Sequence, residues 1–150
     1  MNFDEFPPAP GTYVLIVRVD HPLMLAIGRL GTFTFSPGYY AYVGSAHGPG
    51  GLRARLRRHV HADKPLHWHI DYLTAETPVT TIWLRESPRR LECVWAREII
   101  ARGTVPVPRF GSSDCSCPAH LVALTEEAIP AARAALMPVT VISLLGGDAE

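Results

Sequence analysis

The residues of this chain best suited to chemistry on a phosphate are Tyr42-Val43-Gly44-Ser45 and, one loop later, Leu52-Arg53-Ala54-Arg55-Leu56-Arg57-Arg58-His59. An aromatic strand runs into a small-residue turn, and the turn opens onto a short helix with four arginines and a histidine. A guanidinium fork matches the oxygens of a phosphate. Arg55 and His59 stand at i and i+4, so they share a helix face. Tyr13 opens an earlier strand, and if that strand neighbours the one carrying Tyr42, the two phenols lie on one face of a sheet. A phenol in a polar cleft donates a hydrogen bond, and with a depressed pKa it also orients or deprotonates a water. A carboxylate from a later helix, Glu92 or Glu98, supplies an anchor for one divalent cation. These are the parts of a metal-assisted phosphodiester hydrolysis. The plainer reading is that the tyrosines are ordinary strand residues and the arginine helix a solvated face.

Two further groupings carry potential chemistry. Cys115-x-Cys117-x₂-His120, with Cys93 far upstream, offers four soft ligands for a tetrahedral Cys₃His zinc site. The spacing is not that of a standard zinc knuckle, and packed or reactive cysteines are the plainer reading. Asp114 beside them could instead orient a histidine. The stretch His67-Trp68-His69-Ile70-Asp71-Tyr72 places His67 four residues before Asp71, a spacing that predicts a local hydrogen bond, and Trp68 four before Tyr72. That aromatic pair reads as core, or as a stacking platform for an extruded base. His69 is a residue that could face nucleic acid.

The elements that must position these groups follow from periodicity. Gly11 to Val19 reads as a buried strand, Leu23 to Gly28 as the return strand of a hairpin, and Gly31 to Phe35 and Tyr39 to Gly44 as further strands. Gly48-Pro49-Gly50-Gly51 is a loop, and a helix begins near Leu52. A short helix is expected over His67 to Thr74, a strand over Val79 to Leu84, and an amphipathic helix over Pro88 to Arg102. Val105 to Pro118 reads as loop, Thr125 to Leu136 as helix and Val139 to Leu145 as a last strand. The predicted class is α+β, an α/β sandwich with a small central antiparallel sheet flanked by helices.

Composition narrows the function. With 150 residues and 47% apolar content the chain can bury a core. Fourteen acidic residues balance fourteen basic ones, and a pI near 7.1 argues against a uniformly basic nucleic-acid binder while leaving room for a local site. Lys64 is the single lysine, an arginine bias that phosphate recognition and a high-GC genome explain equally. No apolar run is long enough to span a membrane, and the first ten residues lack the features of a signal peptide. Three cysteines fit poorly with a complete disulfide framework, so a reduced, cytoplasmic protein is expected.

Taken in order, Gly11-Thr12-Tyr13, Tyr42-Val43-Gly44, Arg55-Leu56-Arg57-Arg58-His59 and a glutamate on a later helix resemble the GIY-YIG nuclease superfamily. Tyr42 to Ala46, Arg55 to His59, His67 to Leu73, Glu92-Cys93 and Phe110 to Leu121 resemble more closely the branch called DUF123, which is sometimes fused to an endonuclease III domain. The likeness runs from about Gly11 to Leu124. It implies a three-stranded antiparallel core sheet and DNA cleavage with one Mg²⁺ or Mn²⁺, in a setting of DNA repair or of branched or damaged DNA. An endonuclease III-like enzyme is an implied functional partner. Tyr13 and Tyr42 match the two active-site tyrosines, one of them a general base. Arg55 matches the residue that stabilises the phosphorane-like charge, His59 the group that assists it, and Glu92, or Glu98, the metal ligand. Arg53, Arg57, Arg58 and His69 become expected nucleic-acid contacts, and Gly11 and Gly44 points of close backbone approach. The span between Tyr13 and Tyr42 is longer than in compact members and must hold an extra hairpin. The expected organisation is a tail over 1–10, a nuclease-like domain over 11–124, and a helix and strand over 125–150 packed on that domain. The alternatives are a non-catalytic nucleic-acid-binding module of the same fold, or a zinc-stabilised domain whose arginine helix binds an acidic protein.

Overall fold

The computed structural model describes residues 5–61 and 63–144. Among the described residues, seven strands and four helices follow one another as β1 (Gly11–Val19), β2 (Leu23–Ile27), β3 (Gly31–Phe35), β4 (Gly38–Ala46), α1 (Gly51–Val60), α2 (His69–Thr74), β5 (Val79–Glu86), α3 (Glu92–Ile100), β6 (Leu121–Leu124), α4 (Ala128–Ala135) and β7 (Thr140–Ser143). Five strands form one antiparallel sheet in the order β6-β4-β1-β5-β7, and β2 and β3 pair as a separate hairpin. The class is α+β, as expected. The sheet has five strands where the resemblance implied three; β4, β1 and β5 are its middle.

β1 is the axis because its sequence, Gly-Thr-Tyr-Val-Leu-Ile-Val, is β-branched or aromatic almost throughout and both faces are covered. On one face Tyr13, Leu15 and Val17 meet Leu52 and Leu56 of α1, Ile70 and Leu73 of α2, and Ile27 and Phe35 of the hairpin. On the other, Val14 and Ile16 meet Trp95 and Ile99 of α3 and Ala132 and Leu136 around α4. Burying side chains of this size is favourable by about 1.5–3 kcal/mol each, so two apolar layers clamp the central strand.

Several expectations need correction. β2 is not the return strand of β1; it pairs with β3, because β4 and β5 occupy both edges of β1. The hairpin β2–β3 is the extra one that separates Tyr13 from Tyr42. Pro88 does not open a helix: the chain bends through residues 88–91, and α3 starts at Glu92. Leu121–Leu124, for which the sequence predicts no element, is β6, paired to Tyr39–Tyr42. Of the expected last strand, Leu145 lies outside the described residues, as do residues 1–4 of the tail and 145–150 of the C-terminal segment.

Residues 6–10 lie against the start of α1. Phe6 is buried, and the carbonyls of Ala9 and Pro7 accept the backbone N–H groups of Leu52 and Arg53. Those are orphan donors of the first turn of α1. The chain's own carbonyls therefore occupy this helix terminus.

Candidate active site

The register of β1 on β4 sets the geometry. Tyr13 lies opposite Gly44 and Leu15 opposite Tyr42, so both tyrosines point to the α1 face. The Tyr13 ring lies across Gly44, where any Cβ would fall on the phenol. Glycine at this position is thus a condition for the position of Tyr13. β6 ends its pairing at Tyr42, and only the Val43 N–H reaches further, to the His120 carbonyl. Past that point, on the side of β4 away from β1, no named strand of the described residues pairs with Gly44 and Ser45, and a cleft of about 480 Å³ opens there. Tyr13, Tyr42, Arg55, His59 and Glu92 all line it, together with Trp68, Arg90 and Asp114.

His59, buried on α1, is the hub. Its Nε2 lies 2.6 Å from the Tyr13 phenol oxygen, and its ring meets those of Tyr13, Tyr42 and Trp68 at centroid distances of 5.3, 6.3 and 5.9 Å. Burial, with the charges of Arg55, Arg58 and Lys64 behind it, pushes His59 down to about 3 against the upward pull of Asp71. The imidazole is therefore neutral at physiological pH. Its Nδ1 is buried with no hydrogen-bond partner. Burial raises Tyr13 well above the ordinary phenol value, although the Arg55 charge and a hydrogen bond from Arg55 act against it. Tyr42 is raised for the same first reason, with Tyr13 and Glu92 adding to it. Both groups are phenols, and neither is a standing phenolate.

Arg55 donates from Nη1 to the Ser45 carbonyl at 3.0 Å, and its guanidinium stacks on Trp68, 4.4 Å from the ring centroid. Arg58 stacks on Trp68 as well, at 4.2 Å, and forks onto Asp71 with two contacts of 2.9 Å. Burial pulls the Asp71 carboxyl upward, but Arg58 and the backbone N–H groups of Trp68 and His67 outweigh it and hold it below its ordinary value. Asp71 thereby ties α1 to the start of α2 and fixes the Trp68 ring beneath Arg55. The bond predicted between His67 and Asp71 exists through the His67 backbone N–H.

Glu92, in the first turn of α3, receives a hydrogen bond of 3.0 Å from the Ser45 hydroxyl at Oε1. Its Oε2 stands 3.8 Å from His120 Nδ1. A larger hollow of about 690 Å³, around Tyr40, Arg102, Thr104 and Glu126, gathers no comparable set of polar groups.

The model of the family described as domain of unknown function DUF123 matches residues 12–140. The chain belongs to this family. No curated protein and no solved structure matches it. In this DUF123 chain the match takes in every residue of the cleft, from Tyr13 to Asp114.

Of the two glutamates, Glu92 lines the cleft and Glu98 does not; Glu98 pairs on the surface with Arg102 at 3.2 Å. The expected nucleic-acid contacts fall differently. Arg53 donates to the Phe6 carbonyl, Arg58 is held by Asp71, and Arg57 is exposed away from the cleft beside His61 and Asp63. His69 accepts the Gly111 N–H on Nδ1 at 2.8 Å and packs its ring on Phe110, so it anchors the loop before β6. Trp68 is in the cleft rather than purely in the core. Arg90 and Asp114 also line the cleft, each from a loop with no periodicity to place it.

Residues 105–120 of this DUF123 chain form the remaining wall. Gly111, at φ 74°, lies against Tyr42, with a Cβ position only 2.8 Å from the ring. Arg109 reaches from the same loop to the carbonyls of Ser112, Cys115 and Cys117. All three cysteines are free. The ligand atoms of Cys93, Cys115, Cys117 and His120 lie within 4.8 Å of one another. Burial, with the neighbouring thiols of Cys93 and Cys115, pushes Cys117 up to about 12. Among the described residues no helix is long and apolar enough to cross a membrane.

Proposed function

We propose that the cleft of this DUF123 chain binds a nucleic-acid phosphodiester, in DNA, and hydrolyses it as a metal-dependent endonuclease of GIY-YIG type. The observation that carries the reading is the convergence of Arg55, the Tyr13–His59 pair and Glu92 on one polar cleft. Arg55 uses one of its five donors on Ser45 and keeps others for a non-bridging phosphate oxygen, where negative charge grows as a fifth oxygen bonds to phosphorus. Trp68 stacks on Arg55 and limits its freedom, so little ordering cost falls on the reaction step.

Tyr13 is protonated, so it accepts a proton from an attacking water only by passing its own proton to His59 Nε2. The water oxygen then bonds to phosphorus, the bond from phosphorus to the leaving ester oxygen breaks, and that oxygen takes a proton from solvent. Burial leaves His59 holding a proton poorly. An anionic phosphate beside it offsets the field of Arg55 and Arg58 and favours the imidazolium during the step.

The residues fit a hard divalent cation. Glu92 offers a carboxylate, Asp114 a second one in the same cleft, and Mg²⁺ is commonly held by one or two carboxylates plus substrate phosphate and waters. Mg²⁺ or Mn²⁺, when bound, supplies a Lewis acid for the phosphate charge. The chain's balanced charge suits a small footprint or partner-assisted binding, such as with an endonuclease III-like repair enzyme, more than broad electrostatic capture.

The experiment is cleavage of branched, nicked and damaged DNA with Mg²⁺ or Mn²⁺, comparing the native chain with Arg55→Ala and Glu92→Ala. The reading expects cleavage by the native chain and its loss in both variants. Binding to DNA without cleavage under either metal would favour the non-catalytic module instead.

A further inference from the structure

We infer that Cys93, Cys115, Cys117 and His120 form a four-ligand zinc site, and that Glu92 is the carboxylate that orients its histidine. Three thiols and one imidazole are the donor set of a closed structural zinc centre. In a tetrahedron with Zn–S bonds of about 2.3 Å, two sulfurs lie about 3.8 Å apart. The four ligand atoms here all fall within 4.8 Å of one another, and Cys115 Sγ stands 3.4 Å from His120 Nε2. Small side-chain adjustments bring such a set onto one ion.

The ligands come from two places in the fold. Cys93 is in the first turn of α3, next to Glu92, and the other three end the loop before β6. That loop is held ready. Arg109 bonds the carbonyls of Ser112, Cys115 and Cys117, and the Arg109 N–H bonds the Pro118 carbonyl while the His120 N–H bonds that of Phe110. Arg109 itself holds φ at 66°, an uncommon conformation for a residue with a side chain. Ion binding would tie the loop that carries Gly111 and Asp114 to the helix that carries Glu92.

His120 presents its two nitrogens to different neighbours. Nε2 faces Cys115, and Nδ1 faces Glu92 Oε2 at 3.8 Å. With Nε2 on the metal, Nδ1 keeps the proton, and a carboxylate beside it fixes tautomer and ring orientation. Glu92 thus has Oε1 on Ser45 in the cleft and Oε2 towards the zinc ligand. The zinc site, with Glu92 beside its histidine, stands whether or not the cleft cuts DNA.

Elemental analysis of the full chain, purified under reducing conditions without chelator, tests the site. One zinc per chain, retained on dialysis and lost in Cys115→Ser, is the expected result. Growth of the native chain in cobalt-supplemented medium keeps the test independent of variant folding: thiolate-to-cobalt charge-transfer bands and intense tetrahedral d–d absorption are expected. A native chain with no bound metal, or with iron in place of zinc, overturns the site, as does a cobalt-grown chain without those bands. For Glu92→Gln, competition with a chromophoric chelator should show zinc affinity lowered about 10–100-fold. Unchanged affinity removes Glu92 from the zinc site and leaves its place in the cleft untouched.

Discussion

The Tyr13 phenol and the His59 imidazole stand 2.6 Å apart in the buried wall of the cleft, with Tyr13 protonated and His59 neutral. They lie 46 positions apart in sequence and meet because β1 places Tyr13 over Gly44 while α1 turns His59 inward. A neutral acceptor beside a protonated phenol is a pair through which a proton can pass.

Tyr13→Phe keeps the ring and removes the oxygen. His59 Nδ1 already lacks a partner, so Nε2 becomes a second unpartnered nitrogen in a buried ring. The expected loss is about 1–3 kcal/mol of folding stability, read by urea denaturation, and DNA cleavage abolished while DNA binding persists. Full cleavage by Tyr13→Phe would remove the pair from the mechanism.

The same pair sets a pH dependence of stability. His59 has a folded pKa of about 3 against 6.5 when free of the fold. Between those values the unfolded chain holds a proton that the folded chain lacks, so this contribution is complete above about 6.5 and declines as pH falls towards 3. The limiting slope for one proton is about 1.4 kcal/mol per pH unit. Urea midpoints from pH 7 to pH 4 should fall for the native chain and flatten in His59→Gln.

Gly44→Ala tests the approach of strand to ring. Its methyl falls on the Tyr13 phenol, and such overpacking costs about 1–3 kcal/mol. Gly48→Ala is the control, since its Cβ meets nothing within 4 Å. Thermal melts should separate the two, with cleavage impaired only in Gly44→Ala.

How much of this was legible in the sequence depends on how local each feature is. β1 and β3 follow directly from their runs of β-branched and aromatic residues, and the arginine helix from Leu52 and Leu56 at helical spacing. β6 was not legible: Leu-Val-Ala-Leu is too short to show alternation, and it is a strand only because Tyr39–Tyr42 lie beside it. Pro88 signals a helix start, yet the chain bends there and α3 waits until Glu92. In the cleft, residue types and order pointed to Tyr13, Tyr42, Arg55, His59 and Glu92. The sequence leaves Glu98 as the alternative to Glu92; in three dimensions Ser45 reaches Glu92 and Arg102 reaches Glu98. The third dimension also decides Arg58, whose charge is spent on Asp71, and Arg90 and Asp114, which no periodicity places.

Trp68 couples to Arg55 through the stack of guanidinium on ring. A stack of this kind contributes about 1 kcal/mol, or roughly fivefold in rate. Trp68→Ala should lower kcat/KM by about that factor in the native background and have no further effect in Arg55→Ala, so a double-mutant cycle on residual activity or on DNA affinity should show non-additivity. Additive effects would mean that Trp68 acts on its own.

The central claim rests on Arg55, and it is tested most directly by the rate of cleavage of a branched DNA in Mn²⁺ by the native chain, Arg55→Lys and Arg55→Ala, each shown folded by circular dichroism. Native cleavage, with a loss of about a hundredfold or more in Arg55→Ala and only partial rescue by lysine, whose single charge cannot fork, is the predicted result. Equal rates in the native chain and Arg55→Ala would contradict the account.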